Sequence, residues 1–258
     1  DYNSNNTKSA KPYNFIFIDD FPSSCPYQAL DQLKAMINNG NAMNAGIYLF
    51  INYSATNSHP RELEIDYFRE HCAVITSKAN GETSIGLLDI FESQKHSNIV
   101  ETNIPDAFDE IATLLNLEDE VIGNAPKNEF YKISENEIWA GVSMSEINIP
   151  VGITDKGELA IMHFTQKNAL NSALVVGSPG FGKSKFLHSL ILNAALRYSP
   201  DELEMYLLDF SGVEFDVYAR MNLPHAKIIA PESEREFGVN ILEEIYNEGI
   251  RRERLCRD

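Results

Sequence analysis

The sequence predicts an α/β protein built on a mostly parallel sheet flanked by helices, and three observations carry that prediction. Continuous apolar runs, rather than alternating ones, occur at 13–18, 46–52, 173–176 and 204–208, as expected of strands covered on both faces. Stretches with helical apolar spacing separate several of these runs. A glycine-rich octapeptide, Gly177-Ser178-Pro179-Gly180-Phe181-Gly182-Lys183-Ser184, sits between one apolar run and one helical stretch.

Taken in order, the polar start, 1–12, is expected to be disordered. Tyr13 to Ile18 is a strand closed by Asp19-Asp20. Leu30, Leu33, Met36 and Ile37 mark a short amphipathic helix from about Pro26 to Gly40. Gly46 to Asn52 is a further buried strand, Arg61 to Glu70 a helix, and His71 to Ser77 and Ser84 to Ile90 strands. Residues 13–90 therefore form one α/β block with about four strands. Residues 91–146 differ. No Lys or Arg lies between Lys95 and Lys127, and Pro105 with Ile104, Phe108, Ile111 and Leu115 suggests one acidic amphipathic helix, either docked on its own domain or presented to a partner groove.

From Ile147 the α/β pattern resumes, across 147–258. Ile147 to Thr154 and Leu159 to Phe164 read as a hairpin around Asp155-Lys156-Gly157. The strand at 173–176 leads into the octapeptide, and Phe186, Leu187, Leu190, Ile191 and Ala194 give the helix after it. Strands follow at 204–208 and 226–230, and the last segment, 237–256, is helical. Its final turns carry Arg251, Arg252, Arg254 and Arg257, which suit a helix C-terminus or, alternatively, a phosphate or nucleic-acid contact. About seven strands in one sheet are expected.

The octapeptide fits G-x-x-x-x-G-K-[ST], the phosphate-binding (Walker A) pattern, without a mismatch. Wrapping a triphosphate in backbone N–H groups demands glycines, and the following helix N-terminus favours an anion. Lys183 would reach the β- and γ-phosphates of ATP, and the Ser184 hydroxyl would ligate Mg²⁺. An acidic strand end is the other element such a site needs. Asp19 would hold Mg²⁺ through water and Asp20 would polarise the attacking water, although a strand followed by an Asp turn is also common. Leu207-Leu208-Asp209 follows the loop helix immediately and is read as too early for that role.

A formal net charge of −17, from 38 acidic and 21 basic residues, opposes general nucleic-acid binding, so any DNA contact needs a local basic patch or another part of an assembly. No run approaches the length that spans a bilayer, and a cytoplasmic location is expected. Cys25, Cys72 and Cys256 are widely spaced and read as reduced thiols. The six histidines show no metal-ligand spacing, and Trp139 reads as a packing anchor.

Residues 150–257 resemble the first half of an FtsK/SpoIIIE-type motor domain, through Gly177 to Ser184, Ala195 to Phe210, Gly212 to Arg220, Leu223 to Ile229, Glu232 to Gly238 and Arg251-Arg252. Residues 11–90 resemble the second half of the same domain, with Tyr13 to Phe21 as its Walker B strand and Asn44 to Ser54 as its sensor strand. The resemblance implies a RecA-like P-loop ATPase fold. It also implies a piece of a tandem-repeat motor of the type VII secretion or DNA-translocase kind: the C-terminal half of one domain, an acidic linker, and the N-terminal half of the next. In that setting the cofactors are ATP and Mg²⁺, the cargo DNA or a secreted polypeptide, and the working form a hexameric ring whose parent protein can be membrane-associated. Three departures weaken catalysis more than binding: Asp20 where the family has Glu, Ser54 where it has Gln, and Ser211 where it has Lys. The competing function is a degenerate regulatory module that holds nucleotide without turnover and docks a substrate peptide or neighbouring subunit. The two halves are expected to pack as one permuted RecA-like domain, within one chain or swapped between two.

Overall fold

The computed structural model describes residues 12–22, 25–38, 46–54, 63–77, 83–86, 99–101, 138–143, 146–154, 159–165, 172–209, 214–230 and 235–257. Ten strands are present: β1 (Tyr13–Phe21), β2 (Ile47–Tyr53), β3 (Ala73–Ser77), β4 (Thr83–Gly86), β5 (Ile99–Glu101), β6 (Glu146–Thr154), β7 (Leu159–Thr165), β8 (Ser172–Val176), β9 (Leu203–Asp209) and β10 (Ala226–Ala230). The helices are α1 (Tyr27–Asn38), α2 (Ile65–His71), α3 (Lys183–Arg197), α4 (Asp216–Arg220) and α5 (Arg235–Arg257).

All ten strands join one sheet in the order β10-β9-β1-β2-β8-β3-β4-β5-β6-β7. The six from β10 to β3 pair in parallel, and each later neighbour pairs antiparallel. Strands from the two α/β blocks alternate in space: β1 lies between β2 and β9, and β8 lies between β2 and β3. The continuous apolar runs follow from this placement. Along β1, Phe15 and Phe17 enter one core, while Ile16 and Ile18 enter the other. Every residue from Tyr13 to Asp19 is buried, because both faces are covered.

The first core holds α3, the most enclosed helix, against the sheet. The β6–β7 hairpin closes over it: Phe164 of β7 packs on Phe15, Tyr48 and Phe50 with ring centroids 5.0, 5.1 and 5.7 Å apart. The second core lies under α1, α2 and α5, and joins Leu30, Leu33, Phe68, Ile241, Leu242 and Ile245 to Ile16, Ile18, Leu49 and Leu174.

Several sequence expectations need adjustment. The helix expected over 61–70 occupies Ile65–His71, and the strand expected over 84–90 is Thr83–Gly86, with 87–90 outside the described residues. The acidic helix expected near 104–115 also lies outside them, as do His59 and His96. Among the described residues the one sheet holds ten strands rather than about seven, because the three-residue β5 has no signal in the sequence and the sheet continues from β4 through the β6–β7 hairpin. Helix α4, of 5 residues, is too short for its periodicity to register.

The arginine-rich end of α5 also takes a role the sequence did not suggest. Arg252 is buried and donates to Glu248 (2.9 Å) and to the Pro12 carbonyl (3.1 Å), tying the end of α5 to the start of β1. Arg251 pairs with the same Glu248, so its carboxyl is held down to about 2, chiefly by the Arg251 hydrogen bond. Trp139, expected as a packing anchor, is instead 43% exposed and tied down by hydrogen bonds. Its backbone N–H donates to Leu196 O (2.9 Å) and its indole N–H to Ala195 O (3.0 Å), while Gly141 N–H reaches Arg197 O (2.8 Å). The 138–143 strap thus satisfies the last carbonyls of α3, which no intrahelical donor can reach.

Candidate phosphate-binding site

Parallel strands present their C-terminal ends along one edge of the sheet, where open α/β sheets bind ligands. Here that edge gathers Asp209 from β9, Asp19 and Asp20 from β1, Asn52 from β2, and the 177–182 loop after β8. The loop is short because β8 must pass directly into α3. Gly180 and Gly182 take φ of +80° and +87°, and Gly182 is the N-cap of α3 in the left-handed region with no side-chain cap. A Cβ at either glycine would meet nothing within 4 Å. Backbone conformation, not crowding, selects glycine there. The space beside the loop is open, and the first-turn N–H groups of a 15-residue helix lack intrahelical partners.

Lys183 opens α3 and is buried. Its ammonium donates to the Gly177 carbonyl at 2.9 Å, folding back over the loop. Burial lowers its proton affinity, and the charges of Asp19 and Asp20 raise it again. The two acids from the first block and the lysine from the second are therefore electrostatic neighbours.

Asp19 is strongly perturbed. Burial pushes its carboxyl up to about 6, the Asn52 amide that donates to it opposes the rise, and Asp209, Glu214 and Asp20 add to it. Register accounts for the Asp209 contribution: Asp19 stands directly opposite Asp209 on the parallel strand β9. Asp209 in turn accepts the backbone N–H groups of Glu214 (2.6 Å) and Phe215 (3.2 Å), which seats the turn before α4. Asp20 follows at φ +50°, where β1 breaks register with β2.

Sequence reasoning passed over three residues here. Asn52 was taken only as the end of a strand, with Ser54 expected in the sensor position; the side chain that meets Asp19 is that of Asn52, and Ser54 is buried two residues later. Asp209 was set aside as too early in the chain, yet an apolar strand ending in Asp is the same signal that picked out Asp19. Glu214 had no signal in its own surroundings. It pairs with His188 at 3.1 Å, and that hydrogen bond, with a smaller contribution from the nearby Ser184 hydroxyl, keeps its carboxyl below the usual range despite burial.

The donor set suits a magnesium nucleotide: an open glycine loop and helix N-terminus for phosphate, a lysine beside them, a hydroxyl at the second helical position, and carboxylates facing both. Among the described residues no cluster of three or more metal-ligating side chains forms a site of its own.

A family model described as the FtsK/SpoIIIE family matches residues 133–258, the stretch that carries β6 to β10, the loop and α3 to α5. The match covers just under half of the chain, so this stretch is similar to the FtsK/SpoIIIE family. The chain is 30% identical over 130 residues to the ESX secretion system protein YukB of Bacillus subtilis, a match covering 49% of this chain and 9% of that protein. It is likewise similar to the type VII secretion system protein EssC of Staphylococcus aureus, 31% identical over 90 residues, 34% of this chain and 6% of EssC. The chain thus spans less than a tenth of the length of these curated relatives. No solved structure matches it. Among the described residues no helix is long and apolar enough to cross a membrane.

Proposed function

We propose that the chain binds ATP with Mg²⁺ and hydrolyses it as part of an FtsK/SpoIIIE-type motor. The observation that carries this reading is the meeting of Asp19 and Asp20 with Lys183 at one sheet edge, although more than 160 residues separate them in sequence. Gly177 to Ser184 hold the phosphates, with Lys183 leaving the Gly177 carbonyl for the β- and γ-phosphates. Bound magnesium would supply charge neutralisation at the transferring phosphoryl group. Ser184 would hold it directly and Asp19 through water. Asp20, on the turn that leaves β1, polarises the attacking water, and Asn52 keeps the Asp19 carboxylate aimed. Residues 13–90 and 147–258 act as the two halves of one permuted RecA-like unit, each supplying part of the site, with 91–146 as the linker.

We further propose a secreted polypeptide, rather than DNA, as the cargo, and a cytoplasmic, ring-forming parent protein. Support comes from the printed names of the relatives, which are secretion-system proteins, and from a net charge of −17, which repels a phosphate backbone. The test is binding of a fluorescent ATP analogue with Mg²⁺, followed by phosphate release, for the wild type, Lys183→Ala and Asp19→Ala. Lys183→Ala abolishes binding. Asp19→Ala retains binding in part and loses turnover. Saturable wild-type binding without phosphate release would favour the regulatory, non-hydrolysing module instead.

A further inference from the structure

Half-buried polar groups along one face of α3 connect the last residue of the phosphate loop to side chains outside its pattern. Ser184 and His188 are one helical turn apart and therefore share a face of α3. Both lie near Glu214: His188 Nε2 is 3.1 Å from Oε1, and the Ser184 hydroxyl, one turn earlier, is close enough to lower the proton affinity of the same carboxylate. On its other ring nitrogen, Nδ1, His188 is 2.6 Å from the hydroxyl of Tyr218, a fully buried side chain on α4. A carboxylate can only accept, so His188 donates to Glu214 through Nε2–H, while the Tyr218 hydroxyl is hydrogen-bonded at Nδ1. The backbone under Glu214 is equally constrained, because Asp209 accepts the N–H groups of residues 214 and 215. A carboxylate with its main chain held by β9 and its side chain held by α3 and α4 has little freedom to point anywhere but at Ser184.

A hydroxyl that ligates a cation does so through an oxygen lone pair and must still place its proton. A carboxylate accepting that proton makes the oxygen a better ligand and fixes its direction, the usual function of an outer-shell partner. We infer that Glu214 is the positioning residue for the Ser184 hydroxyl, orienting its lone pair toward nucleotide-bound magnesium, with His188 and Tyr218 holding the Glu214 carboxylate in place. This rests on the proposed magnesium-nucleotide site and adds a requirement to it: the cation dependence of nucleotide binding is set by a residue outside the loop.

The experiment is a Mg²⁺ titration of fluorescent ATP-analogue binding to the 258-residue chain, alongside the affinity measured in EDTA, for the wild type, Glu214→Gln, Glu214→Ala and Tyr218→Phe. Far-UV circular dichroism and melting without nucleotide report folding. Both Glu214 variants are expected to raise the half-saturating Mg²⁺ concentration about 10- to 100-fold, with the EDTA affinity unchanged. Tyr218→Phe, which keeps the carboxylate and removes only the far support, is expected to shift it less. An unchanged Mg²⁺ requirement in both folded Glu214 variants overturns the inference while leaving the site reading intact. An equal loss in EDTA and in Mg²⁺ overturns it too, since Glu214 would then only be maintaining the fold of the loop. A wild type that binds no nucleotide removes the site reading and the inference with it.

Discussion

Replacing Asp19 with Asn tests whether the upstream acid is seated in the loop site as the fold places it. Burial raises the Asp19 carboxyl from 3.8 to about 6, a difference of roughly 3 kcal/mol between its two protonation states. The native state then binds more protons than the unfolded chain between those two values. Ionising Asp19 therefore costs stability progressively as pH climbs from about 4 to 6, and the whole cost is present at pH 7. Asp19→Asn keeps the shape and still offers Asn52 an acceptor, so without nucleotide or metal it is more stable than the wild type. At pH 7 the gain is about 3 kcal/mol, or about 6–12 °C in melting temperature for a chain of this size; near pH 4 it vanishes. The assay is thermal melting of both proteins at half-unit steps from pH 4 to 8, read as the difference between them. His225, whose imidazole is pushed down to about 4 by burial, contributes an opposite slope to both proteins and cancels. A difference that stays flat with pH, or a variant less stable at pH 7, would refute the placement of Asp19 as a buried, poorly compensated carboxylate beside Asp209 and Lys183.

Other substitutions probe the contacts that hold the site elements. A Cβ at Gly141 would lie 2.6 Å from the Arg197 carbonyl and 2.7 Å from the Tyr198 ring, so Gly141→Ala should lower stability by about 1–3 kcal/mol in denaturant titrations. Arg252→Met keeps most of the apolar stem but leaves the Pro12 carbonyl without its donor and Glu248 with Arg251 alone. A loss of about 1–3 kcal/mol is expected, with hydrogen exchange rising first at the start of β1. Cys25 and Cys72 are buried thiols pushed up to about 12, so neither should be labelled by a thiol reagent at pH 8 until denaturant is added, as mass spectrometry of tryptic peptides would show.

Short-range chemistry made much of this molecule legible in sequence. The loop from Gly177 to Ser184 needs left-handed backbone at defined places, and only glycine supplies it cheaply, so the requirement is written into eight consecutive residues. The runs at 13–18, 46–52, 173–176 and 204–208 announced covered strands, because a strand buried on both faces has no polar side to show. Tertiary structure alone decided which of these strands are neighbours. Pairing of β1 with β9 sets Asp19 against Asp209, and pairing of β1 with β2 sets it beside Asn52. Neither partnership has a local signature, since parallel strands meet only through distant crossovers. Glu214 was invisible for the same reason: its meaning lies in a turn held by Asp209 and a helix that starts 31 residues earlier, at Lys183. Which residues can touch phosphate is thus a property of the loop; which carboxylates face it is a property of the register of the sheet.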